Sequence, residues 1–331
     1  MKYRIGVDIG GTKCAVVLGR ADIGANVGAN IGAGIGDSII KKINFATRGA
    51  EESIAEICGT IDALSREYAI QPGDLMGIGI SCGGPLDAEK GLIQSPPNLN
   101  GWDNIPISDI LSGRFGVTAR LENDANACAL AEWRYGAGRG CQNMIFLTFG
   151  TGLGAGLIIG GALYRGANGM AGEVGHIRLT GHGPVGYGKS GSFEGFCSGG
   201  GIAQLARDMA LERIQLGGKP AYCPTVADLS AITAKSVADC ANAGDPLARE
   251  VYAVSGAYLG RGLAVLVDIL NPERIIIGSI FARSEELLRG PMETALASES
   301  LAFNRRACRV APSALGDNIG DIAALCLASG V

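Results

Sequence analysis

Residues 148–156 read TFGTGLGAG and place a glycine at every second position from Gly150 onward, between two apolar segments. Glycine adopts backbone angles that are closed to other residues, and it lets main-chain N–H groups come close to a ligand. Such a segment is either a loop that holds phosphate oxygens or a glycine-rich β-turn. Glu173-Val174-Gly175-His176 and Glu194 follow it, with one of the chain's two histidines. The stretch therefore predicts a candidate phosphate loop with polar side chains downstream.

The composition indicates a globular protein of two domains. A chain of 331 residues is too long for one typical hydrophobic core. Hydrophobic residues make up 47% and charged residues 18%, which excludes a disordered chain. The 53 glycines are far above the usual share and predict many tight turns. A net charge of −4 without a long Lys/Arg run excludes a nucleic-acid or membrane surface of the basic type.

The ten cysteines are scattered, with no pair at the short spacing of a zinc ribbon or a redox motif. The first residues lack the apolar run of a signal peptide, so free thiols and a cytoplasmic location are expected. Residues 143–164 carry no charge, but their glycines make a poor membrane helix. We expect two buried strands there instead, at 143–149 and 156–163.

The remaining chain mixes strand and helix patterns, which is typical of the α/β class. Tyr3–Ile9 predicts a strand, Gly10–Lys13 a turn and Cys14–Gly19 the returning strand, and the same unit recurs at 144–163. Two such units suggest two related lobes that offer N–H groups to a shared ligand. The repeat at 24–35 predicts a loop or hairpin tip without function. Further predictions are helices at 51–68, 124–135, 202–216, 247–270, 284–296 and 319–328, strands at 42–46, 75–81, 117–122 and 274–278, and a loop at 95–102.

Two nucleotide motifs match literally but lack their structural context. Gly183–Ser190 fits the P-loop pattern, yet no buried strand precedes it and glycines weaken a following helix. Gly150-x-Gly152-x-x-Ala155 fits a relaxed dinucleotide fingerprint, yet a strand and not a helix follows it. We interpret both as chance matches.

Two aspartates leave a choice open. Asp8 ends a predicted strand before a glycine turn, where it either caps the turn or holds a hydrated Mg²⁺. Asp124 lies between a predicted strand and a helix, where it is either an N-cap or a general base that takes a proton from an alcohol. The residues alone do not decide between these roles.

Four motifs together resemble the ROK (repressor, open reading frame, kinase) sugar kinases. They occur in the family's order and spacing and cover essentially the whole chain: Asp8-Ile9-Gly10-Gly11-Thr12-Lys13, Glu122-Asn123-Asp124-Ala125-Asn126, Gly150-Thr151-Gly152-Leu153-Gly154 and Glu173-Val174-Gly175-His176. The resemblance implies an α/β, two-lobed actin/Hsp70/hexokinase-like (ribonuclease H-like) fold with a central cleft. The implied N-terminal lobe is 1–121, completed by the C-terminal helix in 312–331, and the C-terminal lobe is 122–311.

The resemblance also implies the site residues. Asp124 would be the base that deprotonates the sugar hydroxyl. The implied sugar ligands are Gly84, Asn98, Asn123, Asp124, Glu173, His176 and Glu194. The implied residues for ATP are Asp8, Gly10, Gly11, Thr12, Lys13, Gly150, Thr151, Gly152, Gly154 and Gly278, with Asp8 holding Mg²⁺ through water. After Gly278, the family's further glycines are replaced by Ser279-Ile280-Phe281.

One departure concerns zinc. The family usually carries C-x-C-G-x-x-G-C-x-E, and the three cysteines bind zinc with the motif histidine. Aligned on Glu194, these positions hold Val185, Tyr187 and Ser192. Zinc favours thiolate and imidazole ligands in a closed tetrahedral set. We predict no structural zinc, since His182 and Cys197 are the only spare donors nearby.

The expected function is ATP- and Mg²⁺-dependent phosphorylation of a hexose, with the 6-OH of glucose leading. Fructose, mannose, allose, N-acetylmannosamine and N-acetylglucosamine remain alternatives. A sugar-sensing repressor is the rival, although Asp8 leaves little room for a preceding DNA-binding helix-turn-helix. An actin-like ATPase is a third class, which would not need Asp124 or the Glu173/His176/Glu194 set. The expected partner is a small-molecule sugar, without nucleic acid or membrane, in a homodimer or homotetramer.

Overall fold

The computed structural model describes residues 1–21 and 38–330. The predicted loop at 24–35 lies outside these residues. The described chain forms two compact units. The first comprises the described residues of 1–142, 156–171 and 314–331, and the second comprises 143–155 and 172–313.

The elements alternate along the chain as the α/β prediction expects. The strands are β1 (Tyr3–Ile9), β2 (Lys13–Arg20), β3 (Ile39–Ala46), β4 (Leu75–Cys82), β5 (Leu86–Asp87), β6 (Leu92–Ile93), β7 (Ala119–Asn123), β8 (Met144–Phe149), β9 (Leu153–Ile159), β10 (Ala162–Leu163), β11 (Val185–Gly186), β12 (Lys189–Ser190), β13 (Arg274–Ile277) and β14 (Arg309–Pro312). The helices are α1 (Ala50–Glu67), α2 (Ile107–Phe115), α3 (Asp124–Tyr135), α4 (Phe193–Phe196), α5 (Gly199–Gln215), α6 (Ala234–Asn242), α7 (Pro246–Leu270), α8 (Ile280–Arg283), α9 (Glu285–Glu299), α10 (Ala302–Ala307) and α11 (Ile319–Leu327).

The first unit is built on a five-stranded sheet with the order β3-β2-β1-β4-β7. β1 pairs antiparallel with β2 and parallel with β4, and β4 pairs parallel with β7. Side chains alternate between the two faces of a strand. The Ile5, Val7 and Ile9 side chains belong to a core with Ile57 and Ile61 of α1. Asp8 therefore points to the opposite face.

The opposite face of this sheet carries α11, and glycines make the contact possible. A Cβ at Gly79 would lie 1.9 Å from the Ala324 carbonyl oxygen, and one at Gly6 would lie 2.9 Å from the Ala324 Cβ. The helix backbone thus lies directly on the sheet, where any larger side chain would push it away. This contact brings α11 to the face on which Asp8 lies.

The second sheet has the order β10-β9-β8-β13-β14, with β13 parallel to both β8 and β14. In the second unit, α7 packs on α9 at two glycines. A Cβ at Gly260 would lie 2.2 Å from the Met292 carbonyl oxygen, and one at Gly256 would lie 2.7 Å from that of Leu288. α7 has the length and apolar composition of a membrane span, with 50% of that window buried. The packing on α9 is that of a core helix.

Most predicted elements are confirmed, and the glycines explain the main difference. The strand predicted at 156–163 begins three residues earlier, at Leu153, and breaks at Gly160 and Gly161, whose φ angles are +60° and +75°. The elements that were not predicted are helices α2, α4, α6, α8 and α10 and strands β5, β6, β11, β12 and β14. The lobe boundary at 121/122 stays a prediction, while in the compact units α3 and α11 pack together in the first unit.

Candidate active site

Asp124 begins α3, but Asn123 is the residue that caps this helix. Asn123 has extended backbone angles, and its Oδ1 accepts the N–H groups of Ala125 at 3.0 Å and Asn126 at 3.4 Å. This is the geometry of an N-cap. Asp124 Oδ1 accepts the adjacent N–H of Ala125, at 2.8 Å. The capping role that the sequence left open for Asp124 is therefore filled by its neighbour.

The surroundings of Asp124 suit a proton acceptor. The residue is exposed, so a ligand can reach its carboxylate. Surrounding protein nevertheless excludes much of the water, and this burial raises the pKa of Asp124, with the backbone N–H groups of Ala125 and of Asp124 itself acting in the opposite direction. A carboxylate with a raised pKa holds a proton more readily than an ordinary aspartate.

Asp8 lies at the end of β1 and shares this electrostatic environment. Burial, followed by the charges of Asp124 and Asp321, raises the pKa of Asp8 to about 6, against the charges of Lys42 and Lys13. Lys42 Nζ lies 2.7 Å from Asp321 Oδ1, and Asp321 is almost fully buried. Asp8 is thus disfavoured as a charged group by its burial and by two further carboxylates, one of which is paired with Lys42.

The turn after Asp8 is tied to the loop that carries Asn98. Gly10 donates its N–H to the Lys13 carbonyl at 3.1 Å, and Thr47 Oγ1 donates to the Gly10 carbonyl at 2.6 Å. A Cβ at Gly11 would lie 2.7 Å from the carbonyl oxygen of Asn98, so only glycine fits there. The structure therefore brings the predicted phosphate turn and one predicted sugar ligand into contact.

The 95–102 loop is held by Trp102, whose side chain is fully buried and donates to the Arg48 carbonyl at 3.3 Å. Asn98 remains exposed on this loop. Gly84 lies beside Asn123: a Cβ added at Gly84 would be 3.7 Å from the side-chain amide nitrogen of Asn123. Within the first unit, Asn98 therefore adjoins the turn at Gly11, while Gly84 adjoins Asn123 beside Asp124.

In the second unit, the Gly150–Gly154 segment is a turn between β8 and β9, as its glycines predict. Gly150 donates to the Gly152 carbonyl at 3.1 Å, and Gly154 donates to Thr148 Oγ1 at 2.9 Å. The Gly150 carbonyl accepts the N–H of Gly199, the first residue of α5, at 2.8 Å. Thr151 lies exposed at the tip of the turn.

Glu194 joins this turn to the Glu173–His176 motif. Its Oε2 accepts the Leu153 N–H at 3.0 Å, and a Cβ at Gly152 would lie 2.8 Å from the same oxygen. A Cβ at Gly175 would lie 2.1 Å from the Leu153 carbonyl oxygen. The motif and Glu194 therefore pack on the turn, with Glu173 and His176 exposed. The sequence suggested Glu194 only as a sugar ligand, and its contact with the turn is an addition.

Gly278 also lies beside the turn. It donates its N–H to the Leu147 carbonyl at 3.0 Å, next to the end of β8. Ser279 follows with a φ of +55°, a region that favours glycine, and its Oγ lies 3.5 Å from the Cβ position of Gly150. Ser279 thus adopts a backbone conformation that glycine takes more readily, at a position where the resembled family carries a further glycine.

The loop that holds zinc in the resembled family is a hairpin, β11–β12, closed by hydrogen bonds. Gln204 donates to the Val185 carbonyl at 2.9 Å and accepts its N–H at 3.0 Å, and Lys189 Nζ donates to the His176 carbonyl at 2.8 Å. Within residues 1–21 and 38–330, no group of three or more His, Cys, Asp or Glu side chains can hold a metal ion. Val185, Tyr187 and Ser192 lack the thiolates that bind zinc in the resembled family. The absence of a structural zinc stays a prediction. The P-loop match at 183–190 also falls on this hairpin, without the required helix.

A model of the ROK family matches residues 4–331. This chain belongs to the ROK family. The glucokinase of Thermotoga maritima is 34% identical to this ROK protein over 87% of the chain and 85% of the relative. A ROK glucokinase from Streptomyces griseus, solved with glucose and AMPPNP, is 30% identical with a TM-score of 0.77, over 98% of this chain and 99% of that one. The predicted two-lobed actin-like sugar kinase fold is thereby confirmed.

The family also contains regulators. The xylose repressor of Caldicellulosiruptor bescii is 34% identical to the ROK protein over 63% of this chain and 51% of the repressor. Kinases match nearly from end to end, whereas this repressor matches over about half of its own length. The similarities therefore leave two candidate functions, a sugar kinase and a sugar-responsive regulator.

Two charged residues near the candidate site were not predicted. Asp321 stands 313 positions after Asp8, and the signal that could have found it is one aspartate inside the apolar helix α11. Arg165 follows β10 and pairs with the buried Glu122. Its signal was a lone arginine among glycines and small residues.

Proposed function

We propose that the ROK protein is a transferase, an ATP:hexose phosphotransferase that acts on a sugar hydroxyl, with the 6-OH of glucose as the leading substrate. The observation that carries the proposal is the start of α3. Asn123 caps the helix, which leaves the carboxylate of Asp124, an exposed residue, available as a base. The end-to-end similarity to glucokinases supports the same reading.

In the proposed reaction, the oxygen of the sugar hydroxyl attacks the γ-phosphorus of ATP while Asp124 accepts the hydroxyl proton. The bond to the β,γ-bridging oxygen breaks, and ADP leaves with the negative charge. Mg²⁺, when bound, neutralises charge on the phosphate oxygens. Asp8 would hold it through water, with the charge of Asp124 acting on the same place. The polar side chains of Asn98, Asn123, Glu173, His176 and Glu194 would bind the sugar hydroxyls.

The triphosphate would be bound by backbone N–H groups of the two glycine turns. Each turn is short and closed by a backbone hydrogen bond, in Gly10–Lys13 of the first unit and in Gly150–Gly154 of the second. The glycines leave the backbone of each turn uncovered by side chains. Such turns can present N–H groups to anionic oxygens. Gly278 would contact adenosine.

The second candidate is a sugar-binding regulator without catalysis, which the xylose repressor similarity favours. ADP release with Mg-ATP over a panel of glucose, fructose, mannose, allose, N-acetylmannosamine and N-acetylglucosamine separates the two. A kinase turns over with one or a few sugars, and the preferred one replaces glucose as the substrate if it differs. Sugar binding without any turnover would contradict the proposal and favour the regulator.

Gly11→Ala should raise the KM for both the sugar and ATP, each by roughly tenfold, because a Cβ placed 2.7 Å from the Asn98 carbonyl forces the turn and the sugar loop apart. Gly113→Ala is the matched control, since a Cβ there meets nothing within 4 Å and alanine favours the helix. Steady-state kinetics with each substrate varied in turn measures the effect. Equal KM values in the two variants would contradict the prediction, because the turn would then not contribute to substrate binding.

We also propose that the β11–β12 hairpin works without zinc, held by Gln204 and Lys189. Dialysis against a chelator, followed by Mg²⁺ alone, should restore full activity and leave the melting temperature unchanged. Metal analysis of the purified protein should find far less than one zinc per chain. A melting temperature that drops on chelation and returns with Zn²⁺ would overturn this.

The proposed setting is the cytoplasm, as a homodimer or homotetramer without nucleic acid. All ten cysteines are free thiols in the described chain, which suits a reducing compartment. Sedimentation equilibrium measures the oligomeric state directly, and a purely monomeric protein would contradict that part.

A further inference from the structure

Glu122 is a buried carboxylate two residues before Asp124, with its side chain only 3% exposed. Its Oε2 accepts two hydrogen bonds from Arg165, at 2.9 Å from Nε and 2.7 Å from Nη2. Its Oε1 accepts the backbone N–H of Asn123 and the side-chain amide of Asn126, both at 3.0 Å. Both oxygens are therefore used inside the protein, and none is offered to a ligand.

Arg165 reaches this carboxylate from a backbone that is itself held. The preceding residue, Tyr164, donates to the Leu157 carbonyl at 2.8 Å, and the Arg165 carbonyl accepts the N–H of Ala171 at 3.0 Å. A guanidinium that binds one carboxylate through two N–H groups fixes its direction as well as its distance. A lysine at this position keeps the charge but loses the fork.

The contacts of Glu122 lie on both sides of Asp124. Asn123 is the cap of α3, and Asn126 belongs to its first turn. A buried carboxylate is costly without a partner, so Arg165 balances the charge that holds these two asparagines. The direction of the Asp124 side chain depends on the same helical turn.

We infer that Arg165 and Glu122 are positioning residues for the phosphoryl transfer, acting through the start of α3 on the Asp124 carboxylate. The inference rests on the proposed function. Small displacements of a reacting group cost rate: roughly a hundredfold for about 1 Å. The pair should therefore affect the chemical step and leave nucleotide binding alone.

The test is a comparison of four proteins: wild type, Arg165→Lys, Asp124→Asn and the double variant. Arg165→Lys should lower kcat by roughly ten- to a hundredfold, with the KM for ATP within about twofold. In the Asp124→Asn background, the same change should have little further effect, because groups that act as one unit are not additive. Glu122→Gln keeps the shape of the side chain and should show the same loss of kcat. It takes the place of Arg165→Lys in the comparison if that variant folds poorly.

Arg114→Lys is the matched control in the same unit. It makes the same substitution in a surface pair, where Arg114 Nη2 lies 2.7 Å from Asp62 Oδ2, and should leave kcat unchanged. Arg165→Lys with the kcat of this control would overturn the inference, and so would an equal loss in both backgrounds, which indicates general disruption. A wild type without turnover on any sugar would instead defeat the proposed function, and the positioning role with it.

Discussion

Asp124→Asn should lower kcat for sugar phosphorylation by roughly a hundredfold to ten-thousandfold, the range for loss of a general base. Asparagine has the same shape and still accepts the Ala125 N–H through its amide oxygen, so the start of α3 should persist. It cannot accept the proton of the attacking hydroxyl. The KM for ATP should stay within about threefold, which places the loss in the chemical step.

The start of another helix, α2, offers a matched control for this result. Asp109→Asn makes the same substitution in the first turn of α2, at an exposed position, and should leave kcat unchanged. Wild-type kcat should also fall on acidification with an apparent pKa above that of an ordinary aspartate, because burial raises the pKa of Asp124. An asparagine variant as active as the wild type would remove Asp124 from the mechanism.

The sequence alone could not assign the residue that caps α3. Asparagine and aspartate are about equally good N-caps, and helix starts are uncertain by a residue or two from pattern alone. Either Asn123 or Asp124 could have capped α3. The structure decides because only Asn123 has extended backbone angles and reaches the N–H groups of both Ala125 and Asn126.

Local patterns predicted the elements well and long-range pairs poorly. The β1 and β8 hairpins and helices α1, α3 and α11 follow from glycine turns and apolar spacing, which act within a few residues. The pairing of Lys42 with Asp321 joins residues 279 positions apart. No local pattern contains that contact, since it depends on α11 lying against the glycines of the sheet. The same holds for Arg165 and Glu122.

Asp8→Asn should make the protein more stable and less active. The pKa of about 6 exceeds the ordinary aspartate value of 3.8, so the folded state disfavours the charged form. Below pH 3.8 the group is protonated in both states and costs nothing. The cost builds up as pH rises from 3.8 to about 6, because the unfolded chain releases its proton in this range before the folded protein does. Above about 6 the cost is complete, at most about 3 kcal/mol for a shift of about two units. Asparagine removes that cost but still buries a polar group, so we expect a gain of about 1–2 kcal/mol at pH 8.

Denaturant unfolding of the metal- and nucleotide-free protein at pH 4 and pH 8 measures this change. The gain should be present at pH 8 and nearly absent at pH 4. The kcat/KM with Mg-ATP should fall by roughly tenfold or more, because the variant loses the carboxylate that we propose to hold Mg²⁺ through water. Asp321→Asn is the contrasting control, because it leaves Lys42 without its partner at 2.7 Å and should lower stability at pH 8. An Asp8→Asn protein destabilised equally at both pH values would mean that the carboxylate supports the fold. A gain confined to pH 8 together with lost activity would mean that its charge is kept for the cation, at the expense of stability.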